Sequence, residues 1–101
     1  MTGFVQIIEF KTSRIDEVQK LSEEIRGAMS GRGGGPTRVT VLADRDRSNT
    51  YMTVAEFASL EEAEKNSASP DTSAFAAKMA ELCDGPPTFY NTDVIEQEVL
   101  S

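Results

Sequence analysis

The sequence lacks several residues on which common kinds of protein chemistry depend. Its 101 residues include no histidine, no tryptophan and a single cysteine. The usual zinc ligand sets and any histidine-based catalytic triad are therefore absent. One cysteine cannot form an internal disulfide, so nothing requires an oxidising compartment and we expect a cytoplasmic protein. Asp84 beside Cys83 disfavours the thiolate, which predicts a small buried thiol rather than a nucleophile.

Positive charge and long apolar runs are also scarce. There are 10 Lys and Arg residues against 17 Asp and Glu residues, giving a formal net charge of -7. Such an acidic chain repels the phosphate backbone, so we expect no nucleic-acid partner. No apolar stretch approaches the ~18 residues that span a bilayer and no secretory leader is visible, so we expect no membrane partner. The length predicts one domain over residues 1–101.

Runs of β-branched and aromatic residues predict four strands. Three of them cover residues 4–10, 37–44 and 50–58, and the polar turn RDRSN joins the last two into a hairpin. The final segment, TFYNTDVIEQEVL, predicts a long strand over residues 88–100. Alternation along that strand places Tyr90 and Asn91 on opposite faces.

Helical spacing and capping residues predict two helices between these strands. Ser13 is the predicted cap of the first helix, whose apolar face extends to about Met29. A capping box, Ser59 to Glu62, starts the second helix. That helix is interrupted between Asn66 and Pro70, where the Ser-Pro step restarts it, and it ends before the Asp-Gly-Pro-Pro run at 84–87.

Two loops resemble ligand motifs only in part. The glycine-rich connector at 30–36 follows a helix and precedes a strand, whereas a phosphate-binding loop requires the reverse order, so we interpret it as a mobile loop. Asp44, Asp46 and Ser48 have the spacing of the start of a calcium loop. The glycine and the distal glutamate of such a loop are missing, so a solvated hairpin tip is expected and no metal site.

The order of elements is β-α-β-β-α-β, which predicts an α+β, ferredoxin-like fold. Right-handed crossovers place both helices on one face of a four-stranded antiparallel sheet. The strands are apolar on both faces, so the other face would expose apolar area to water. We therefore expect a homodimer in which a second copy covers this face, and the long last strand pairs with or packs on the partner.

The segments FVQIIEFK, RVTVLADRDRSNTYMTVAEFASLEEA and FYNTDVIEQEV together resemble the dimeric α+β barrel superfamily, with the antibiotic-biosynthesis-monooxygenase-like group as the nearest match. The segment NSASPDTSAFAAKMAELCDGPPTFYNTDV is similar to small actinobacterial members with no known activity. The resemblance implies a dimeric α+β barrel. It does not fix the chemistry, because the superfamily includes cofactor-independent oxygenases, haem-degrading enzymes, isomerases, dye-decolorising peroxidases and members without known activity.

The chain departs from the chemistry of these relatives at two points. Haem-handling members share an axial histidine, and this chain has none. Cofactor-free monooxygenases of the group share an asparagine with a tryptophan, and tryptophan is absent as well. The resemblance therefore leaves Asn91, with Tyr51 or Tyr90, as stand-ins and carries over no catalytic residue. We expect no cofactor.

A ligand pocket in this architecture forms between the sheet and the helices. Amides there can orient a carbonyl or enolate oxygen, and a desolvated carboxylate can act as a general base. Each residue also has a structural interpretation, such as a cross-strand partner, a helix end or the sheet rim. Tyr90 and Asn91 line one pocket only if the strand contains a bulge. The predicted pocket residues are Gln6, Tyr51, Asn66, Phe75, Met79, Tyr90, Asn91 and Asp93.

Two functions from different classes fit these features. The first is a cofactor-independent monooxygenase-like enzyme acting on a small aromatic or quinol-type substrate, which delivers electrons to oxygen itself. The second is a non-catalytic dimer that binds a small ligand or another protein. The missing histidine and tryptophan fit both, so the sequence leaves open whether the protein is an enzyme.

Overall fold

The computed structural model describes residues 3–29 and 35–100, which form one antiparallel sheet with helices on one face. The strand order is β2-β3-β1-β4. This is the predicted α+β, ferredoxin-like fold, and the second predicted helix is divided in two before Pro70, as expected. The elements are β1 (Phe4–Lys11), α1 (Ile15–Met29), β2 (Arg38–Ala43), β3 (Thr50–Phe57), α2 (Leu60–Ala68), α3 (Pro70–Leu82) and β4 (Thr88–Asp93).

Strand register defines the two faces of the sheet. Phe4 of β1 lies opposite Phe57 of β3, and Gln6 lies between Ala55 of β3 and Asn91 of β4. Opposed residues in antiparallel strands point to the same face, and Ala63 of α2 packs in one cluster with Phe4, Ala55 and Phe57. We call this the helix face. The opposite surface, the open face, presents Val5, Ile7, Leu42, Met52, Val54 and Tyr90.

The buried core lies on the helix face alone. All buried apolar strand residues belong to it, and the rings of Phe4 and Phe57 are 6.3 Å apart. The open-face apolar residues are half-buried or exposed. The helix face is thus packed over the central strands, whereas Val39, Val41 and Phe89 of the edge strands are exposed on it. The open face remains apolar and uncovered by the described helices. Among the residues whose burial the structure describes, the buried apolar ones are Phe4, Phe10, Val18, Ala55, Phe57 and Ala63.

A buried threonine joins β1, α1 and α3. The hydroxyl of Thr12 donates to the carbonyl of Leu82 at 2.6 Å and accepts from the backbone N–H of Arg14 at 2.9 Å. The Arg14 carbonyl accepts the first hydrogen bonds of α1. The predicted cap at Ser13 is therefore wrong, because the preceding hydroxyl faces inward and orders the chain entering the helix. The predicted cap of α2 is confirmed, since the hydroxyl of Ser59 accepts from the N–H of Glu62.

The final strand is shorter than predicted. β4 ends at Asp93, opposite Phe4, and only the N–H of Val94 continues the pairing, by donating to the Gly3 carbonyl at 3.0 Å. Residues 94–100 run beyond the start of β1, where residues 3–29 and 35–100 provide no neighbouring strand. The predicted strand over those residues is wrong for the single chain. Without a neighbouring strand, Ile95 is 90% exposed and Val99 is 94% exposed.

Two further expectations concern the connector and the membrane. Residues 30–34 of the predicted glycine-rich connector lie outside the described residues; Gly35 has a φ of 79°, a conformation that suits glycine. None of the helices in the described ranges is long and apolar enough to cross a membrane.

Candidate ligand site on the helix face

Two side-chain amides meet on the helix face, between the central strand and its edge neighbour. β1 places Gln6 directly opposite Asn91 of β4, and the Gln6 Nε2 donates to the Asn91 Oδ1 at 3.1 Å. The other cross-strand neighbour of Gln6 is Ala55, whose small side chain takes little space over the amide. Gln6 is half-buried and Asn91 is exposed, so their remaining polar atoms are available to orient a ligand.

An aromatic pair occupies the same face at the other end of β1. Tyr51 lies opposite Phe10, with ring centroids 5.8 Å apart and an interplanar angle of 28°. Phe10 is only 2% exposed, so the half-buried Tyr51 ring is supported by the core. On its other side Tyr51 pairs with Ala43, another small residue. Such a ring offers a flat apolar surface with one polar tip.

The structure separates the two remaining strand candidates. β4 pairs with β1 in continuous register from Thr88 to Asp93, without a bulge. Asp93 therefore shares the helix face with Asn91, exposed at the end of the strand. Tyr90 lies opposite Ile7 on the open face. The predicted alternation is confirmed, and Tyr90 is not brought together with Gln6, Tyr51 and Asn91.

The three predicted pocket residues on helices, Asn66, Phe75 and Met79, are half-buried, but each makes a different kind of contact. Phe75 of α3 lines a small groove of about 220 Å³ against Leu21 and Ile25 of α1, so it packs between helices. Met79 lies one turn further along α3, and its carbonyl accepts from the N–H of Cys83. The carbonyl of Asn66 accepts from the N–H of Ser69 at the end of α2, the helix-end role considered from the sequence.

A cleft that the sequence did not indicate opens at the end of the sheet. It measures about 440 Å³ and contains none of the predicted pocket residues. The phenylalanine pair at the ends of β1 and β3 lines it, together with part of the segment after β4. The apolar pattern of that segment predicts a strand, and a strand prediction gives no indication of a cleft. The lining includes Gly3, Phe4, Val5, Thr37, Glu56, Phe57 and residues 94–97.

The hairpin tip is held by ion pairing. The Asp44 carboxylate accepts from the N–H of Asp46 at 2.9 Å and from the Arg47 Nε at 2.8 Å. The backbone hydrogen bond from Asp46, followed by the bond from Arg47, lowers the pKa of Asp44. Arg47 also contacts Glu9 at 3.4 Å. Within residues 3–29 and 35–100, no group of acidic or cysteine side chains has the arrangement of a metal site.

Cys83 follows the end of α3 as a free, half-buried thiol. Burial raises its pKa, and the negative charge of Asp84 raises it further. A raised pKa lowers the thiolate fraction near neutral pH, so this environment disfavours nucleophilic chemistry. Both causes support the sequence interpretation that Cys83 is not a nucleophile, although the thiol is half-buried rather than fully buried.

The fold is the ferredoxin-like fold of antibiotic biosynthesis monooxygenase-like proteins. A candidate antibiotic biosynthesis monooxygenase from Caulobacter crescentus CB15 superposes with a TM-score of 0.79 at 14% identity, over 93% of this chain and 91% of that chain. SnoaB, a cofactor-independent oxygenase from Streptomyces nogalater, superposes with a TM-score of 0.73 at 19% identity, over 99% and 98%. The TM-scores and the coverage establish a shared fold, and the identities are too low to show more than that.

Other comparisons define how far the likeness extends. A protein of unknown function from Nitrosomonas europaea shares the fold with a TM-score of 0.71 at 15% identity, over 100% of this chain and 97% of that chain. No protein-family model matches the sequence, and no curated protein matches it. One fold thus covers an oxygenase and a protein without assigned activity, so the chemistry must be argued from this chain's own residues.

Proposed function

We propose that this chain is a cofactor-independent monooxygenase-like enzyme that holds a small aromatic or quinol-type substrate on the helix face. The observation that carries the proposal is the pair of hydrogen-bonded amides, Gln6 and Asn91, on the same face as the stacked Tyr51 and Phe10. This face combines flat apolar surface with a few polar groups, as small-molecule sites do. The fold shared with SnoaB supports the same reading.

The proposed chemistry uses the substrate as the source of all electrons. A ring CH₂ flanked by aromatic rings, as in anthrone, reacts with one O₂ to give a carbonyl and one water. One oxygen atom enters the product and the other leaves as water, and the substrate loses four electrons. The substrate loses its proton to solvent water, and the amide N–H groups of Asn91 stabilise the oxygen anion that forms. Tyr51 supports the ring of the substrate.

The proposal includes a homodimer formed through the open face. Val5, Ile7, Met52 and Val54 of the two central strands form an apolar surface that the helices leave uncovered. Water contact over such an area is unfavourable, and a second copy of the same sheet offers a matching surface. The exposed Ile95, Val99 and Leu100 of the C-terminal segment provide further apolar area for the partner.

The dimer is tested with a charge on the open face. Val54→Lys places two lysines in an isologous interface, and burying each unpaired charge costs at least a few kcal/mol. We expect the wild type to sediment as a dimer at micromolar concentration and the dissociation constant of the variant to rise at least about 100-fold. Gln19→Lys, on the exposed side of α1, is the control. A wild type that remains monomeric at high concentration would contradict the proposal.

The activity is tested by oxygen uptake with a panel of anthrones and hydroquinones. We expect turnover by the wild type, a decrease of at least about tenfold in Asn91→Ala, and a smaller decrease in Tyr51→Phe. Gln19→Ala removes an exposed amide of α1 that is not part of the proposed site, and it serves as the matched control. Panel members that bind without oxygen uptake would instead support the second candidate, a non-catalytic ligand-binding dimer, which fits the absence of histidine and tryptophan equally well. Absence of binding would refute the site.

A further inference from the structure

The two amides on the helix face are joined in one direction. The Gln6 Nε2 donates to the Asn91 Oδ1. The Asn91 Nδ2 and the Gln6 Oε1 have no hydrogen bond to another residue within the described parts of the chain. The pair therefore presents one amide donor and one carbonyl acceptor side by side, on a face where Asn91 is exposed.

We infer that Gln6 is a positioning residue that fixes the orientation of the Asn91 amide, and that the pair selects aromatic ligands with a hydroxyl beside a second ring oxygen. The inference rests on the proposed function and specifies the ligand class of that site. One ligand oxygen accepts from the Asn91 Nδ2, and the neighbouring hydroxyl donates to the Gln6 Oε1. An isolated amide could turn its oxygen or its nitrogen outward, whereas the bond from Gln6 holds the nitrogen outward.

The surface beside the pair suits the ring of such a ligand. Phe89 precedes Asn91 by two positions on β4, so it lies on the same face, and it is 54% exposed. Ile8 lies directly opposite Phe89 on β1 and is half-buried. A planar ring resting on these two side chains would carry its polar edge to the adjacent Gln6 and Asn91. Apolar surface and polar pair are thus neighbours along the same two strands.

Three naphthalenes of nearly equal shape test this selection. They are 2,3-dihydroxynaphthalene, its monomethyl ether and its dimethyl ether, and only the first two retain a hydroxyl donor. Their fluorescence reports binding with little protein background, because the chain has no tryptophan. We expect the wild type to bind the diol and the monomethyl ether within about threefold of one another and the dimethyl ether roughly tenfold more weakly.

Two substitutions at Gln6 separate positioning from simple contact. Gln6→Glu provides only acceptors, so Asn91 must donate its Nδ2 to the new carboxylate and turn its oxygen outward. The variant should keep its affinity for the diol, which can donate two hydrogen bonds, and should bind the monomethyl ether roughly tenfold more weakly than the wild type does. Gln6→Leu removes the hydrogen bond that orients Asn91, so the affinities of this variant for the three ligands should differ by about threefold or less. These readouts are ratios within one variant, so a reduced folded fraction does not produce them.

The outcomes distinguish this inference from the function on which it rests. Equal affinities of the wild type for the three naphthalenes, or an unchanged affinity of Gln6→Glu for the monomethyl ether, would overturn the selection and leave the ligand site in place. If no naphthalene bound the wild type, the proposed ligand site itself would fail. Retained selectivity in Gln6→Leu would show that Gln6 does not position Asn91.

Discussion

Replacement of Thr12 by valine tests the hydrogen-bonded junction from which the helix face is built. Thr12 is 0% exposed, and its hydroxyl makes both the 2.6 Å bond to the Leu82 carbonyl and the 2.9 Å bond from the Arg14 N–H. Valine keeps the shape and leaves both backbone groups without that partner. Each buried group that loses its partner costs roughly 1–3 kcal/mol. We therefore expect Thr12→Val to lose about 2–4 kcal/mol of unfolding free energy, a large part of the 5–15 kcal/mol typical of domains.

Urea unfolding at fixed protein concentration measures this loss. The midpoint should fall while the slope of free energy against urea stays constant, because the surface exposed on unfolding is unchanged. Thr12→Ser keeps the hydroxyl and loses one methyl group, so it should cost only about 1 kcal/mol. Thr88→Val, at an exposed position of β4, should stay within about 0.5 kcal/mol of the wild type.

The reasoning depends on the hydroxyl rather than on the volume of Thr12. If Thr12→Ser were as destabilising as Thr12→Val, packing of the methyl group would explain the loss. If Thr12→Val stayed within about 0.5 kcal/mol of the wild type, the two backbone groups would have other partners, and the junction would not hold α3. The adjacent bond from the Asp84 N–H to the Lys11 carbonyl, at 2.8 Å, would then be the main link between α3 and β1.

Two further predictions concern titratable groups. The pKa of Asp44 is lowered in the folded state. Its contribution to stability is therefore present above the ordinary carboxyl pKa and is lost as the pH falls through the lowered pKa of the folded state. In acid unfolding, the stability difference between wild type and Asp44→Asn should shrink below about pH 4. A shrinkage already present at pH 6 would contradict this. The raised pKa of Cys83 predicts slower alkylation by iodoacetamide at pH 7.5 than in urea-unfolded protein, with partial acceleration in Asp84→Asn because burial is the larger cause. Equal rates in folded and unfolded protein would refute the shielding.

Local sequence signals were sufficient for most of the fold. Alternation and caps located the strands and helices, and the Ser-Pro step before Pro70 divided the second helix as predicted. The errors lie where long-range context decides. The apolar residues of 94–100 have strand character, but pairing requires a neighbour, and the described part of the chain pairs with this segment only at Gly3. Ser13 is a residue type that favours a cap, but the hydroxyl of Thr12 accepts from the Arg14 N–H at the start of α1 instead. The same hydroxyl donates to the carbonyl of Leu82, 70 residues away in the sequence, and no local pattern indicates that contact.

The sequence was sufficient to predict which residues of the candidate site share a face of the sheet, but not which of them contact one another. Alternation alone placed Asn91 on the face opposite Tyr90, as the structure has it. The contact between Gln6 and Asn91, which are 85 positions apart in the sequence, depends on the register of β1 against β4. A register shift of one residue would invert every assignment, and no local pattern fixes it. The end cleft depends on the path of the chain after Asp93, which the strand prediction misrepresented.

The proposed ligand site and the proposed dimer face lie on opposite sides of the same strands. On β1, Gln6 points toward the helices, while its neighbours Val5 and Ile7 point to the open face. A partner that covered the open face would restrain β1 and β3 from that side. Closely packed side chains have low compressibility, so they would limit the movement of both strands. The position of Gln6 relative to Asn91 would then depend on the assembled dimer, and a hydrogen bond of 3.1 Å tolerates little relative movement of the strands. This arrangement gives a physical reason for a dimer in a protein whose proposed ligand site lies within one chain.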